Sequence, residues 1–170
     1  MSENSNTEKL GIRARAKALK QHPVPHLSIT DLGLRWGCSR STVERHRFRF
    51  SLTTAGHKDA HPEYNLLDIL RIEGVADPEG QWIVGTDVDR EILSAPLLTI
   101  NDLVQLDPKT KRRSSETFRA RARAAARTQG HGYIARDRES IRLGHAWLFR
   151  PTEADLPYLH TIKLSGRGKI

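Results

Sequence analysis

Cysteine is almost absent from this chain, which has one, Cys38, among 170 residues. A single cysteine cannot form an intrachain disulfide, and it excludes a zinc site built from a cysteine cluster. Acidic residues are in the minority, with 20 Asp and Glu against 28 Lys and Arg, so the formal net charge is +8. This balance favours an acidic polymer as partner, although a solvated basic surface would carry the same charge.

Long apolar runs and catalytic side-chain sets are missing as well. No segment approaches the roughly 20 apolar residues of a membrane span, and the polar N-terminus lacks the apolar region of a signal peptide. We therefore expect a cytoplasmic protein without a membrane partner. His57 and His61 lie four apart but just before Pro62, which suits a loop better than a metal site. We expect no enzyme activity, no metal and no cofactor.

Residues 27–47 have the pattern of two helices joined by a three-residue turn. Ser28 can cap the first helix, with Asp31 at its third position as in a capping box. Leu32 and Trp36 lie four residues apart, so they share the face that points into a core. This spacing predicts an amphipathic first helix that begins immediately after Ser28.

The turn and the second helix follow the same logic. Gly37 can adopt the positive φ that ends a helix, and Ser39 is placed to cap the next one. Val43 returns to the core, while His46 stands where an aliphatic residue is usual. The polar side of this helix carries the candidate DNA contacts of the first copy, which are Ser39, Arg40, Ser41, Thr42 and Arg45.

The segments Leu-Ser-Ile-Thr-Asp-Leu and Gly-Cys-Ser-Arg-Ser-Thr-Val resemble the winged helix-turn-helix of the excisionase and MerR-type group of DNA-binding proteins. The resemblance implies a β-hairpin wing after the second helix and then a short closing helix. Residues 48–52 are the expected start of that wing, and residues 65–70 are similar to the closing helix. The stretch 53–62 between them is longer and more polar than a tight wing.

A second copy begins with Leu98-Thr99-Ile100-Asn101-Asp102-Leu103, 71 residues after the first. Its turn is about four residues longer, and a strongly basic helix over 116–127 follows. Strands at 141–143 and 147–149 flank a short turn and predict a wing; residues 151–156 open a closing helix with Thr152 as its cap. The candidate DNA contacts of this copy are Lys111, Arg112, Arg113, Ser115, Thr117, Arg119, Arg123 and Arg127.

The expected fold is mainly α with small β-hairpin wings, arranged as tandem winged helix-turn-helix modules. The boundaries are a flexible basic arm at 1–25, a first module at 26–75, a linker at 76–96, a second module at 97–160 and a basic tail at 161–170. Within the linker we expect a short strand at 81–84 and a short helix at 87–93.

These features predict a sequence-specific double-stranded DNA-binding protein. By resemblance, it is a transcriptional regulator of a mobile element or its host, found with the nucleoid when bound to DNA. One alternative is an excisionase-like factor that bends DNA for a recombinase, and another is a basic RNA-binding protein. A recombinase or RNA polymerase is the protein partner that the first two roles imply.

Overall fold

The computed structural model describes residues 11–106, 120 and 139–160. The expected basic helix and the eight candidate contacts of the second copy lie outside these residues. The described part is mixed α/β, with seven α-helices and two small antiparallel sheets of three and two strands. The helices are α1 (Ile12–Gln21), α2 (Ile29–Trp36), α3 (Arg40–Arg49), α4 (Leu66–Ile72), α5 (Pro78–Val84), α6 (Asp87–Ser94) and α7 (Ile100–Leu106).

The described strands form two separate antiparallel sheets. The larger sheet has the order β1-β3-β2, and the smaller pairs β4 with β5. A strand thus precedes α2 as well as following α3, so the fold has more β structure than helices with wings alone. The strands are β1 (His26–Ser28), β2 (Gly56–Lys58), β3 (His61–Asn65), β4 (Ser140–Leu143) and β5 (Ala146–Phe149).

The helix pair α2 and α3 forms as its local signals predict. The Ser28 hydroxyl accepts from the Asp31 amide at 3.2 Å, and the Ser28 amide donates to the Asp31 carboxylate at 2.9 Å. Gly37 ends α2 in the left-handed region, with φ of 60°. A Cβ on Gly33 would lie 3.1 Å from the Cys38 carbonyl oxygen, so a larger residue would force the two helices apart.

The expected wing start at 48–52 is wrong, because α3 continues through Arg49. The hairpin comes later, as β2 and β3 joined by Asp59 and Ala60, whose φ angles are 49° and 67°. Positive φ at both central residues is the type I′ geometry that matches strand twist, and here it forms without glycine. The stretch 53–62, which looked too long for a tight wing, therefore contains the connection from α3, strand β2, the turn and the start of β3.

The expected strand at 81–84 is also wrong, since these residues belong to α5. Asp77 caps α5 by accepting from the Gly80 amide at 3.0 Å, and Pro78 occupies its first turn, where proline needs no partner for an amide. The helix predicted at 87–93 is confirmed as α6. The 76–96 segment is thus mostly helical, and it is packed into the fold.

Helix α1 is docked on this helical segment, which differs from an arm that orders only on DNA. The Trp82 indole donates to the His22 carbonyl at 2.8 Å. Leu19 and Val24 pack against the buried cluster that contains Trp82, Leu66 and Leu70. The basic side chains of α1 are therefore presented from a fixed position.

The second region repeats several local interactions of the first, namely a strand pairing, a helix cap and a hairpin. Leu98 pairs with Phe149 in an antiparallel bridge, as Leu27 pairs with Tyr64. The Thr99 amide donates to the Asp102 carboxylate at 2.7 Å and caps α7. The predicted hairpin is confirmed as β4 and β5.

The expected closing helix of this region is a different element. It is a single 3-10 turn, Leu156–Tyr158. Before it, the Thr152 amide and hydroxyl both donate to Asp155. A helix that began after Thr152 would need the amide of residue 157 to donate to the carbonyl of residue 153. Residue 157 is a proline, which has no amide hydrogen.

The two regions share one core. Leu32, Trp36 and Val43 of the first helix pair lie in the same buried cluster as Leu97 and Leu148. Burial of such side chains is the main favourable term in folding, at about 1.5–3 kcal/mol each. The described part of the second region is therefore packed onto the first.

A buried ionic network reinforces this contact. The Arg35 guanidinium donates to both oxygens of Glu73, at 2.6 and 2.8 Å, and also reaches the Leu93 and Ala95 carbonyls. The Trp36 indole and Arg150 donate to the same carboxylate, at 2.9 and 3.3 Å. Burial would raise the pKa of Glu73, but the two guanidiniums and the Trp36 hydrogen bond hold it below its usual value.

Candidate nucleic-acid interface

Helix α3 has one buried side and one exposed side. Val43 is fully buried, and Phe50, just past the helix, is packed against the core. On the opposite side lie Ser41, Arg45 and Phe48, at spacings of four and three that place them in one line along the helix. All three are exposed, and Phe48 has 85 % of its surface accessible. We call these three residues the α3 stripe.

The other sequence-predicted contacts of the first copy surround this stripe. Ser39 and Arg40 are exposed at the start of α3, whereas Thr42 is half-buried. Ser39 precedes the first turn but does not cap it; its hydroxyl is paired with the Ser41 and Thr42 hydroxyls, each at 3.1 Å. Arg45 donates to the Thr42 hydroxyl at 3.1 Å, which holds its guanidinium along the helix surface.

The first hairpin lies beside the N-terminal end of α3. A groove of about 390 Å³ is bounded by Arg40, by the residues around Ser28 at the start of α2, and by Lys58 and His61 of the hairpin. Arg40 and Lys58 thus add two exposed cations at this edge, together with the carboxylate of Asp59.

The second hairpin lies on the other side, beside the C-terminal half of α3. Gly144, in its turn, has φ of 61°, and a Cβ there would be 3.2 Å from the His46 ring and 3.7 Å from the Arg49 guanidinium. Next to this close approach, a cavity of about 360 Å³ is lined by Thr42 and His46 of α3 and by residues of the hairpin. Helix α3 is therefore flanked by a hairpin on each side.

His46 fills the core position that its sequence context left in doubt. Its ring meets Trp36 edge-on and stacks on Phe50, with both centroid distances 5.9 Å. Burial lowers the pKa of His46, and the positive charges of Arg49 and Arg45 lower it further. Burial and the two neighbouring guanidiniums thus favour the neutral imidazole, which packs against Trp36 and Phe50.

Four residues of this surface escaped the sequence reasoning. Phe48 and Arg49 were assigned to a wing, because the Phe-Arg-Phe alternation resembles a strand. Lys58 and Arg142 lie on the two hairpins and carry no motif of their own. The helical spacing from Ser41 through Arg45 to Phe48 was the one available signal.

Metal-binding side chains are not clustered in the described part of the chain. Residues 11–106, 120 and 139–160 contain no cluster of three or more His, Cys, Asp or Glu side chains suited to a metal ion. Burial raises the pKa of the Cys38 thiol, which disfavours the nucleophilic thiolate. None of the helices in these ranges has the length and apolar character required to cross a bilayer.

The chain matches no protein-family model, no curated protein and no solved structure.

Proposed function

We propose that this protein binds double-stranded DNA in a sequence-specific manner through helix α3. The observation that carries the proposal is the α3 stripe: an arginine, a hydroxyl and an aromatic ring in one exposed line on the second helix of a helix-turn-helix. A major groove about 12 Å wide admits an α-helix, and arginine there can bond guanine O6 and N7 together. Such a pair discriminates against a wrong base by about 1–3 kcal/mol.

The surroundings of the stripe suit the DNA backbone. Lys58 stands at one edge of α3 and Arg49 at the other, so that phosphates on both sides of a groove can be neutralised. Phosphate contacts of this kind position the protein, while contacts in the groove specify the sequence. Phe48 supplies an apolar surface that suits a thymine methyl group.

Duplex DNA fits this surface better than duplex RNA. The major groove of A-form RNA is deep and narrow, so side chains on a helix cannot read its bases. The α3 stripe lies along a helix rather than on the face of a sheet. It has one aromatic ring, whereas proteins that bind single strands stack successive bases on several aromatic side chains. We therefore place RNA binding second.

We further propose that the chain carries a winged helix-turn-helix and a partial second copy. Support comes from the repeated strand pairing before the capped helix and from the hairpin that follows in each region. A transcriptional regulator of a mobile element or its host is the role we favour, in the cytoplasm and without catalysis. Gene neighbourhood would separate it from an excisionase-like role.

The test is selection of bound duplexes from a random pool by the full chain. We expect the unaltered protein to enrich a motif, and the Arg40→Ala/Arg45→Ala double variant to bind with similar nonspecific affinity but without that motif. Arg71→Ala is the control, because it removes an exposed arginine of α4 that is paired with Asp68. Enrichment of the same motif by the double variant would contradict the role given to α3.

A further inference from the structure

Two arginines from different parts of the chain meet at the turn of the second hairpin. Arg49 projects from the last turn of α3, and its guanidinium would be 3.7 Å from a Cβ on Gly144. Arg142 projects from β4, and its Nε donates to the Gly144 carbonyl at 3.3 Å. The two arginine side chains therefore both reach Gly144, although 93 positions separate them in sequence.

Aromatic rings, rather than acids, hold both guanidiniums in place. The Arg49 guanidinium carbon lies 5.7 Å from the centre of the Phe50 ring, and that of Arg142 lies 5.3 Å from the centre of the Trp147 ring. Stacking on a ring face holds a guanidinium while leaving its N–H groups available in the ring plane. Within the described ranges, neither arginine forms a salt bridge with a carboxylate.

Two like charges at one turn repel each other unless an anion lies between them. Burial lowers the pKa of the neighbouring His46, and the charge of Arg49 lowers it further. Arginine N–H groups suit phosphate oxygens, which they can bond in pairs. The place is also adjacent to the α3 stripe, within one helical turn of Arg45.

We propose that Arg49, Arg142 and the Gly144 turn form a phosphate clamp that binds the DNA backbone next to the groove occupied by α3. This inference rests on the proposed function. It assigns the second hairpin to the same DNA segment as α3, instead of to a second site read independently. Its glycine allows the close approach, since a side chain at 144 would meet His46.

The first experiment measures the salt dependence of duplex binding by the full chain and by Arg142→Ala. We expect about fivefold weaker binding, alike for different sequences, and a salt slope reduced by about one. Arg142→Lys keeps the charge and should restore most of the slope. Arg71→Ala removes the same charge elsewhere and should leave the slope unchanged; an equal decrease for Arg71→Ala and Arg142→Ala would overturn the clamp.

The second experiment locates the contact with duplexes in which single phosphates are replaced by neutral methylphosphonates. The unaltered chain should lose affinity at one or two positions beside the α3 motif, and Arg142→Ala should show no further loss there while keeping its losses elsewhere. Identical position profiles for the two proteins would overturn the clamp while leaving base reading by α3 intact. Absence of any duplex binding by the unaltered chain would overturn both proposals.

Discussion

The two regions of this molecule begin with nearly the same six residues but differ in how they are completed. In the first, a capped helix, a glycine turn, a second helix, a hairpin and a closing helix follow within residues 26–72. In the second, the capped α7 and the β4–β5 hairpin are described; the hairpin packs onto the first region, and α7 packs against β5. The six-residue motif is thus repeated, but the second hairpin shares the core of the first region instead of forming a core of its own.

The two hairpins show this difference most directly. The tip of the first lies beside the start of α3, where Arg40 is, and the turn of the second lies beside its end, where Arg49 is. Both hairpins therefore flank the same helix. We therefore propose one DNA-binding surface made from both regions, whereas the sequence predicts a separate set of DNA contacts in each region.

The largest expected effect is at Glu73, which joins the two regions. Glu73→Ala removes the partner of Arg35 and of Arg150, both of which are buried. Breaking a buried pair in this way costs about 3–5 kcal/mol, because a charge is left without compensation. Urea unfolding of the full chain measures it, with Asp68→Ala as the exposed-pair control. A loss under 1 kcal/mol would mean that the network does not hold the regions together.

Acid pH should weaken the same link, and the sign follows from the pKa of Glu73. This pKa is lowered in the folded chain from an ordinary value of 4.5. The stabilisation is therefore fully present above that value and is lost as the pH falls through the lower, folded pKa. Glu73→Gln should remove this part of the acid sensitivity, as seen in unfolding free energies measured between about pH 2 and 7. Parallel pH curves for the two proteins would contradict the assignment.

Phe48 tests DNA binding by α3 separately from the two hairpins, because this side chain lies on α3. Phe48→Ala should leave stability nearly unchanged, because the ring is 85 % exposed. It should weaken binding to the selected motif by about 1 kcal/mol or more and abolish the difference between thymine and deoxyuridine at one position. Ile12→Ala, equally exposed on α1, is the matched control. Equal thymine preference in Phe48→Ala would contradict the methyl contact.

The smallest expected effects come from the two matched helix caps. Ser28→Ala and Thr99→Ala should each cost about 1 kcal/mol. Thr99→Ala should cost more, because its partner Asp102 is fully buried while Asp31 is exposed. Thermal unfolding should show one transition for both variants, since the regions share a core. Two separate transitions, each shifted by only one of the variants, would restore the picture of independent modules.

The elements predicted from sequence are those specified by neighbouring residues. The Ser28–Asp31 cap, the Gly37 turn and the β4–β5 hairpin depend on contacts within a few positions, and all were placed correctly. Two errors arose where a local pattern fits more than one structure. Phe48-Arg49-Phe50 alternates like a strand but forms the end of α3 and its C-cap, and residues 81–84 were expected to form a strand although Pro78 begins a helix there.

The arrangement of the site was beyond sequence reasoning because it depends on distant contacts. Glu73 is 38 positions from Arg35 and 77 from Arg150. Gly144 meets His46 and Arg49 only because the regions share a core. The candidate contacts Arg40, Ser41 and Arg45 were predicted from the helix pattern, whereas Arg142 joins the proposed surface through folding alone.

The central claim is that one continuous surface, made of α3 and the two hairpin turns, binds duplex DNA. Titrating isotope-labelled full chain with the selected duplex, and following its backbone amide signals by NMR, tests this claim most directly. The largest shifts should fall on residues 39–49, on 57–61 of the first hairpin and on 142–145 of the second. Shifts centred on α4 to α6, or none at saturating duplex, would contradict it.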